Sequence, residues 1–349
     1  MCKIAKIKEI FYLKSSIISV GGIMRRKKKV KVNFGNIFIL LLVVCLGVFG
    51  IKSLYKFLNN DKEINTNNTD TGKTKKEDDV IKDKLTELGY SKEESNTIKS
   101  NMSNEEINKI DKKYDYLSEF SKVKYFHIEN IERYIDYKNK NSDLSTEEII
   151  MNVNTDLDHE YYTNMREVSD PDDLLVLVNK YHILPSGIEP KNLVNIEGQR
   201  MEKTAAEAME NMVSQMRNDG LYIILQSGYR SEDLQTRIYN RNVNERGREN
   251  ADKYSARPNS SEHQTGLAMD LSTDGTLEEY FEDTPQFEWL QQNAHKYGFI
   301  MRYPKDKVYM TGYEYEPWHY RYVGVEVATI IKNENLTYEE YCVKYRGLY

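Results

Sequence analysis

Two imidazoles and two carboxylates stand at a spacing that suits metal-assisted hydrolysis. The run Ser261-Glu262-His263-Gln264-Thr265-Gly266-Leu267-Ala268-Met269-Asp270 sets a histidine and an aspartate close together, and Glu316-Pro317-Trp318-His319 adds a second histidine behind another acid. His263, Asp270 and His319 can supply the three protein ligands of an open zinc site, with the fourth position left to water. Such a metal makes hydroxide available near neutral pH. Glu316 is then spare and can serve as the base. A lone histidine is more often a hydrogen-bonded structural residue, and His127, His159 and His182 have no acidic or cysteine partner at ligand spacing. His295, in Asn293-Ala294-His295-Lys296-Tyr297-Gly298, reads as a polar residue in the last turn of a helix that stops at glycine. The HExxH helix of the common zinc proteases is absent.

The residues around the ligands say what must position them. Gly266 allows a tight turn beside His263, and Leu267-Ala268-Met269-Asp270-Leu271 alternates loosely, as a strand with one buried face would. Pro317 argues against a helix shared by Glu316 and His319 and for a bulged or edge strand. The wider pattern predicts helices near 203–217, 231–245 and 286–297, with strands near 221–226, 267–272, 299–303 and 318–323.

These motifs resemble the VanY-type D-alanyl-D-alanine carboxypeptidases and their L,D-carboxypeptidase relatives. Beyond the Ser-x-His-x-x-Gly-x-Ala-x-Asp and Glu-Pro-Trp-His runs, the resemblance takes in Leu175-Val176-Leu177-Val178-Asn179-Lys180 with Leu184-Pro185, and Ser227-Gly228-Tyr229-Arg230-Ser231 with Gln235. It continues through Trp289-Leu290, the run from Tyr297 to Pro304, and Thr311-Gly312-Tyr313, so it spans roughly residues 165 to 345. One departure is Pro258-Asn259, where the family often has Pro-Gly; asparagine also tolerates a left-handed turn.

The resemblance implies that His263, Asp270 and His319 bind one zinc ion and that Glu316 moves the proton. It also implies that Arg230 stabilises the oxyanion and that Ser261 and Gln235 bind substrate. By itself Arg230 reads as one half of a structural ion pair, and Ser261 and Gln235 suit turn and capping chemistry equally well. Trp318 and Tyr313 are candidates to wall the cleft.

The rest of the chain suggests where such an enzyme works. Residues 1–33 are basic, with Arg25, Arg26, Lys27, Lys28, Lys29 and Lys31 ahead of the apolar run 37–49, and Met24 reads as an alternative start. With its flanks, 34–51 is just long enough to cross a bilayer, and the heavier basic side should stay in the cytoplasm. A cleaved signal peptide is the alternative. Residues 52–79 read as a flexible linker, being rich in Asn, Asp, Thr and Lys. Residues 80–160 read as a helical stalk or subdomain, in which Ser91, Ser103 and Ser145 each precede a glutamate at capping-box spacing. The zinc domain occupies 165–349. Of the three cysteines only Cys342 falls in the exported part, so no internal disulfide is expected there. The formal net charge of −6 leaves no nucleic-acid footprint.

The expected fold is α+β, a small antiparallel sheet carrying the zinc with helices packed against it and short hairpin-like links joining the last strands. The expected activity is removal of C-terminal D-Ala from peptidoglycan stem peptides by a membrane-anchored enzyme facing the wall. L,D-cleavage of tetrapeptide stems is the nearest alternative, and a non-catalytic, zinc-containing wall-binding module is the alternative of a different class.

Overall fold

The computed structural model describes residues 80–349, so the segments 1–33, 34–51 and 52–79, and with them the expected anchor, lie outside the described residues. Among the described residues no helix is long and apolar enough to cross a membrane.

Six helices come first: α1 (80–87), α2 (Lys92–Asn101), α3 (Asn104–Asn108), α4 (Leu117–Phe120), α5 (Ile131–Lys140) and α6 (Thr146–Asn154). All three predicted capping boxes form: Ser91, Ser103 and Ser145 each accept from the backbone three residues on, and Glu94, Glu106 and Glu148 return the bond. Few apolar residues are needed because nearly all point inward. Leu85, Ile98, Ile107, Phe120, Tyr134, Ile149 and Val153 are buried in one cluster, which Met310 and Val343 join from the later part of the chain.

Two short pairs follow, β1 (Arg166–Glu167) with β2 (His182–Ile183) in parallel, and the hairpin β3 (Leu193–Ile196) with β4 (Gln199–Glu202). Next come α7 (Lys203–Asn218), β5 (Ile224–Ser227), α8 (Glu232–Arg246), α9 (Arg248–Tyr254) and β6 (Ala268–Ser272). The chain ends with α10 (Pro285–Asn293), β7 (Phe299–Tyr303), α11 (Val308–Thr311), β8 (Glu316–Tyr322), α12 (Val325–Glu334) and α13 (Tyr338–Arg346). The result is a mixed helix and sheet architecture built on a four-stranded antiparallel sheet, ordered β5-β6-β8-β7.

Three local expectations need correction. β6 is buried at every position, because it is a central strand with packing on both faces. Met269 and Leu271 join Tyr320 and the Met209, Met212, Val213 and Met216 stripe of α7 in the apolar core, while Asp270 and Ala268 face the other way, opposite His319 and Arg321. β8 is likewise central, so of the two expectations for it the bulged strand holds and the edge strand does not. Its Pro317 falls where β6 no longer pairs and where the β7 ladder slips register between Met301 and Tyr303, so the missing N–H breaks no ladder bond. Finally, β7 and β8 are neighbours without a short hairpin: residues 304–315 between them include a 3₁₀ turn and α11.

Candidate metal centre and active-site cavity

The ligand triad is built on two adjacent strands and one turn. Asp270 on β6 and His319 on β8 are direct cross-strand partners, and His263 comes from the 3₁₀ turn Glu262–Thr265 that leads into β6. Gly266 closes that turn at φ +71, where a Cβ would stand 2.8 Å from Leu193 Cδ2 and 3.0 Å from the Glu202 nitrogen. Glycine is thus required twice over, by conformation and by space. Asn259 adopts the left-handed conformation (φ 68) expected of it in place of glycine.

One ligand atom each from His263, Asp270 and His319 lie within 4.8 Å of one another, and all three residues are buried. His263 Nδ1 sits 2.8 Å from the Gly228 carbonyl oxygen. A carbonyl only accepts, so Nδ1 carries the proton and Nε2, 3.4 Å from Asp270 Oδ2, offers a lone pair. Burial pushes the His263 pKa down to about 4, which keeps the ring neutral as a metal ligand must be. Asp270 Oδ2 accepts from Arg230 Nη2 at 2.6 Å, whereas Asp270 Oδ1 is buried with no hydrogen bond and stands 3.1 Å from His319 Nδ1. A buried carboxylate with one oxygen free of hydrogen bonds beside the His319 nitrogen, and its other oxygen beside the His263 nitrogen, fits a divalent cation. Two imidazoles and one carboxylate are a zinc donor set with an open position.

Glu316 reaches this cluster because of the register slip. In an unbroken strand residues three apart point to opposite faces. The β7–β8 slip pairs Tyr303 with Glu316 and brings Glu316 Oε2 within 3.6 Å of His319 Nδ1. Burial, aided by the neighbouring Asp270 charge, pushes the Glu316 pKa up to about 7. For His319 burial acts in the opposite sense, but the Asp270 and Glu262 carboxylates on either side outweigh it and hold the imidazole up to about 9, so a metal and a proton compete for it.

A cavity of about 160 Å³ opens over the cluster, lined by Glu316, Arg230, Ser261, Gln235, Tyr313 and Trp318 as well as by the triad. The structure therefore brings together every residue singled out from the sequence. Arg230 is both an ion-pair partner, held by Asp270 and by Ser227 Oγ at 2.9 Å, and part of the cavity wall. Ser261 does not cap its turn, so that alternative use of its hydroxyl is not realised. Gln235 gives its amide N–H to the Ala256 carbonyl at 2.8 Å, which leaves its Oε1 buried without a partner. As placed, that oxygen suits an N–H donor rather than a carboxylate.

A second buried constellation carries no assignment from the sequence. Glu262 lies behind His319, its Oε2 3.4 Å from His319 Nε2, and its Oε1 accepts from Arg302 Nε at 2.8 Å and Arg321 Nη1 at 2.9 Å. The available signal was two arginines inside otherwise apolar strands, Ile300-Met301-Arg302-Tyr303 and Tyr320-Arg321-Tyr322. Buried cations of that kind need a buried acid. A further acidic grouping, Asp156 and Asp158 beside His159, does give that histidine acidic neighbours. Its carboxylates are taken up by Arg133 and Arg166, which makes it an ion-pair network.

Comparison with known proteins agrees with this geometry. The family model described as VanY: D-alanyl-D-alanine carboxypeptidase matches residues 198–325. The candidate carboxypeptidase YodJ of Bacillus subtilis (strain 168) is 40% identical over 211 residues, 55% of this chain and 77% of its own length. Among solved structures, the LD-carboxypeptidase LdcB is 42% identical with a TM-score of 0.49, covering 51% of this chain and 90% of that one. A VanY D,D-pentapeptidase from a VanB-type vancomycin-resistance cassette, in complex with Zn(II), is 36% identical with a TM-score of 0.44, covering 49% and 99%. The chain belongs to the VanY family of D-alanyl-D-alanine carboxypeptidases, and it is an enzyme of that zinc-dependent class.

Proposed function

We propose that the protein is a zinc carboxypeptidase that removes the C-terminal D-Ala from peptidoglycan stem peptides ending in D-Ala-D-Ala. The observation that carries this reading is the buried Asp270 carboxylate, its Oδ1 unbonded beside His319 and its Oδ2 beside His263, in a cavity also lined by Glu316 and Arg230. His263, Asp270 and His319 would hold the zinc ion, which would supply the Lewis acidity that makes hydroxide available at neutral pH. Glu316 takes a proton from the attacking water and delivers it to the leaving amine as the peptide bond breaks. Its pKa near neutrality suits both halves of that task. Arg230, fixed on Asp270 and Ser227, turns toward the cavity where negative charge develops on the scissile carbonyl. Ser261 and Gln235 bind the substrate from the cavity wall, the Gln235 oxygen taking an N–H of the peptide.

The basic cluster ahead of the apolar run 37–49 supports an N-terminal membrane anchor that holds the enzyme on the outer side of the membrane, beside the wall. The deciding experiment offers the full-length protein muropeptides ending in D-Ala-D-Ala or in a single D-Ala, with and without a chelator. Chelator-sensitive release of D-Ala from the D-Ala-D-Ala substrate is expected. Release only from the single-D-Ala stem would replace this reading with L,D-cleavage, and release that survives metal removal would overturn the mechanism.

A further inference from the structure

We propose that Glu262 is a positioning residue for the metal: its carboxylate fixes which nitrogen of His319 faces the cation, and Arg302 and Arg321 fix the carboxylate. The inference rests on the zinc reading above and adds a residue to it.

Glu262 has no freedom to move. It is buried in the 3₁₀ turn, with Oε1 shared between Arg302 and Arg321 and Oε2 turned to His319 Nε2. The arginines are held in their turn. Arg302 gives Nη1 to Glu339 Oε2 at 2.9 Å and Nη2 to Glu339 Oε1 at 2.5 Å, on α13. Arg321 gives Nη2 to the Val176 and Leu174 carbonyls at 2.8 and 3.2 Å, and Nε to the Tyr322 carbonyl at 3.0 Å. The Tyr338 ring lies 5.7 Å from one guanidinium and 5.2 Å from the other. Two acids and two arginines balance in charge, and arginine cannot release its proton, so Glu262 stays ionised and accepts only.

An accepting oxygen at Nε2 settles the state of the neutral His319 ring. The proton sits on Nε2, and the Nδ1 lone pair is left facing Asp270 Oδ1, which itself has no hydrogen bond. Without Glu262 the proton can move to Nδ1 and be given to Asp270, which would consume two metal-donor atoms at once. The same turn delivers His263 from the next residue, so one short segment aims both imidazoles: His263 through the Gly228 carbonyl and His319 through Glu262. A carboxylate behind a metal-bound imidazole sets its orientation and basicity, and losing such a partner weakens metal binding by about 10–100-fold.

The test measures zinc affinity of the full-length chain by competition with a chromophoric chelator. Glu262→Gln and Glu339→Gln each remove one acid from Arg302, but only Glu262 touches His319. We expect about 10–100-fold weaker zinc binding in Glu262→Gln and unchanged binding in Glu339→Gln. Should either single variant fail to fold, the charge-matched doubles Glu262→Gln/Arg302→Gln and Glu339→Gln/Arg302→Gln carry the same comparison. Imidazole nitrogen NMR shifts of the zinc-loaded protein should show His319 bound through Nδ1 in the parent, with that assignment lost only when Glu262 is replaced. Parental affinity in Glu262→Gln, or an equal loss in the Glu339 variant, overturns the proposal. A parent chain that binds zinc yet releases no D-amino acid defeats the functional reading alone and leaves the role of Glu262 standing.

Discussion

Two polar clusters lie back to back on the same face of the central sheet, and only one of them is complete. Behind His319, the Glu262, Arg302, Arg321 and Glu339 group pairs its charges and donates into carbonyls of neighbouring segments. In front, Asp270 Oδ1 and Gln235 Oε1 are buried without hydrogen bonds, and Glu316 is held near neutrality by burial. Both clusters are sunk in a protein interior, where an unsatisfied polar group costs about 1–3 kcal/mol. The contrast supports the proposed site: the satisfied cluster reads as scaffold, and the unsatisfied one offers the polar atoms that a cation, water and substrate would complete on the proposed mechanism. The two communicate through a single imidazole, since His319 offers Nε2 to the first and Nδ1 to the second.

If that division is right, replacing a member of the front cluster should remove turnover and spare the fold. Glu316→Gln keeps the shape and drops the proton acceptor, so kcat/KM for D-Ala release should fall by about 10²–10⁴-fold. Zinc content and thermal midpoint should stay at parental values. Turnover near that of the parent would take Glu316 out of the mechanism. A member of the rear cluster should behave in the opposite way. Arg302→Met leaves two acids to one arginine in a buried site, which should lower stability by about 3–5 kcal/mol. The check is the denaturant midpoint at constant m-value, and a loss below about 1 kcal/mol would mean that water reaches these charges.

The front cluster was legible in the sequence because its residue types are rare in strands and its members sit within two short motifs. His263, Asp270, Glu316 and His319 announce themselves by chemistry alone. The rear cluster was not legible, because its members are scattered from Glu262 to Glu339 and an arginine in a strand looks like a solvent-facing residue until both faces of the sheet are known to be covered. Register was equally hidden. Pro317 signalled a bulged strand, but nothing local gives the size of the β7–β8 slip past Tyr303 that brings Glu316 beside His319. The β3–β4 hairpin escaped notice because its turn is Glu197-Gly198. Glu197 is left-handed there (φ 47), a conformation more readily signalled by asparagine or aspartate. The helices read best: the predicted 203–217 and 231–245 correspond to Lys203–Asn218 and Glu232–Arg246.

A smaller effect follows from the pKa of Glu316. On the proposed mechanism Glu316 acts as the carboxylate, and burial raises its pKa to about 7. Protonation on the acid side therefore removes activity, by about tenfold for each pH unit below that value. A zinc ion close by favours the charged form and moves the limb toward lower pH, so its midpoint should lie at or below about 7. The profile of kcat/KM against pH checks this, and a flat profile down to pH 5 would assign the base elsewhere.

The smallest effect comes from the turn that, besides His319, serves both clusters. Gly266 ends the turn that carries Glu262 into the rear cluster and His263 into the front one. Gly266→Ala must place a side chain at φ +71, which costs about 1–2 kcal/mol, and must push Leu193 away from a Cβ only 2.8 Å off. The backbone N–H of Glu202 donates to the Gly266 carbonyl at 2.8 Å, so the β3–β4 hairpin resists that movement and the turn must give. Stability and zinc affinity should therefore fall together in this variant, whereas Glu316→Gln changes neither and Arg302→Met changes stability first. Chelator competition and denaturant unfolding on the same sample separate these cases. Loss of stability with parental zinc affinity would show that the turn supports the two clusters independently, and that His319, not the turn, is their only link.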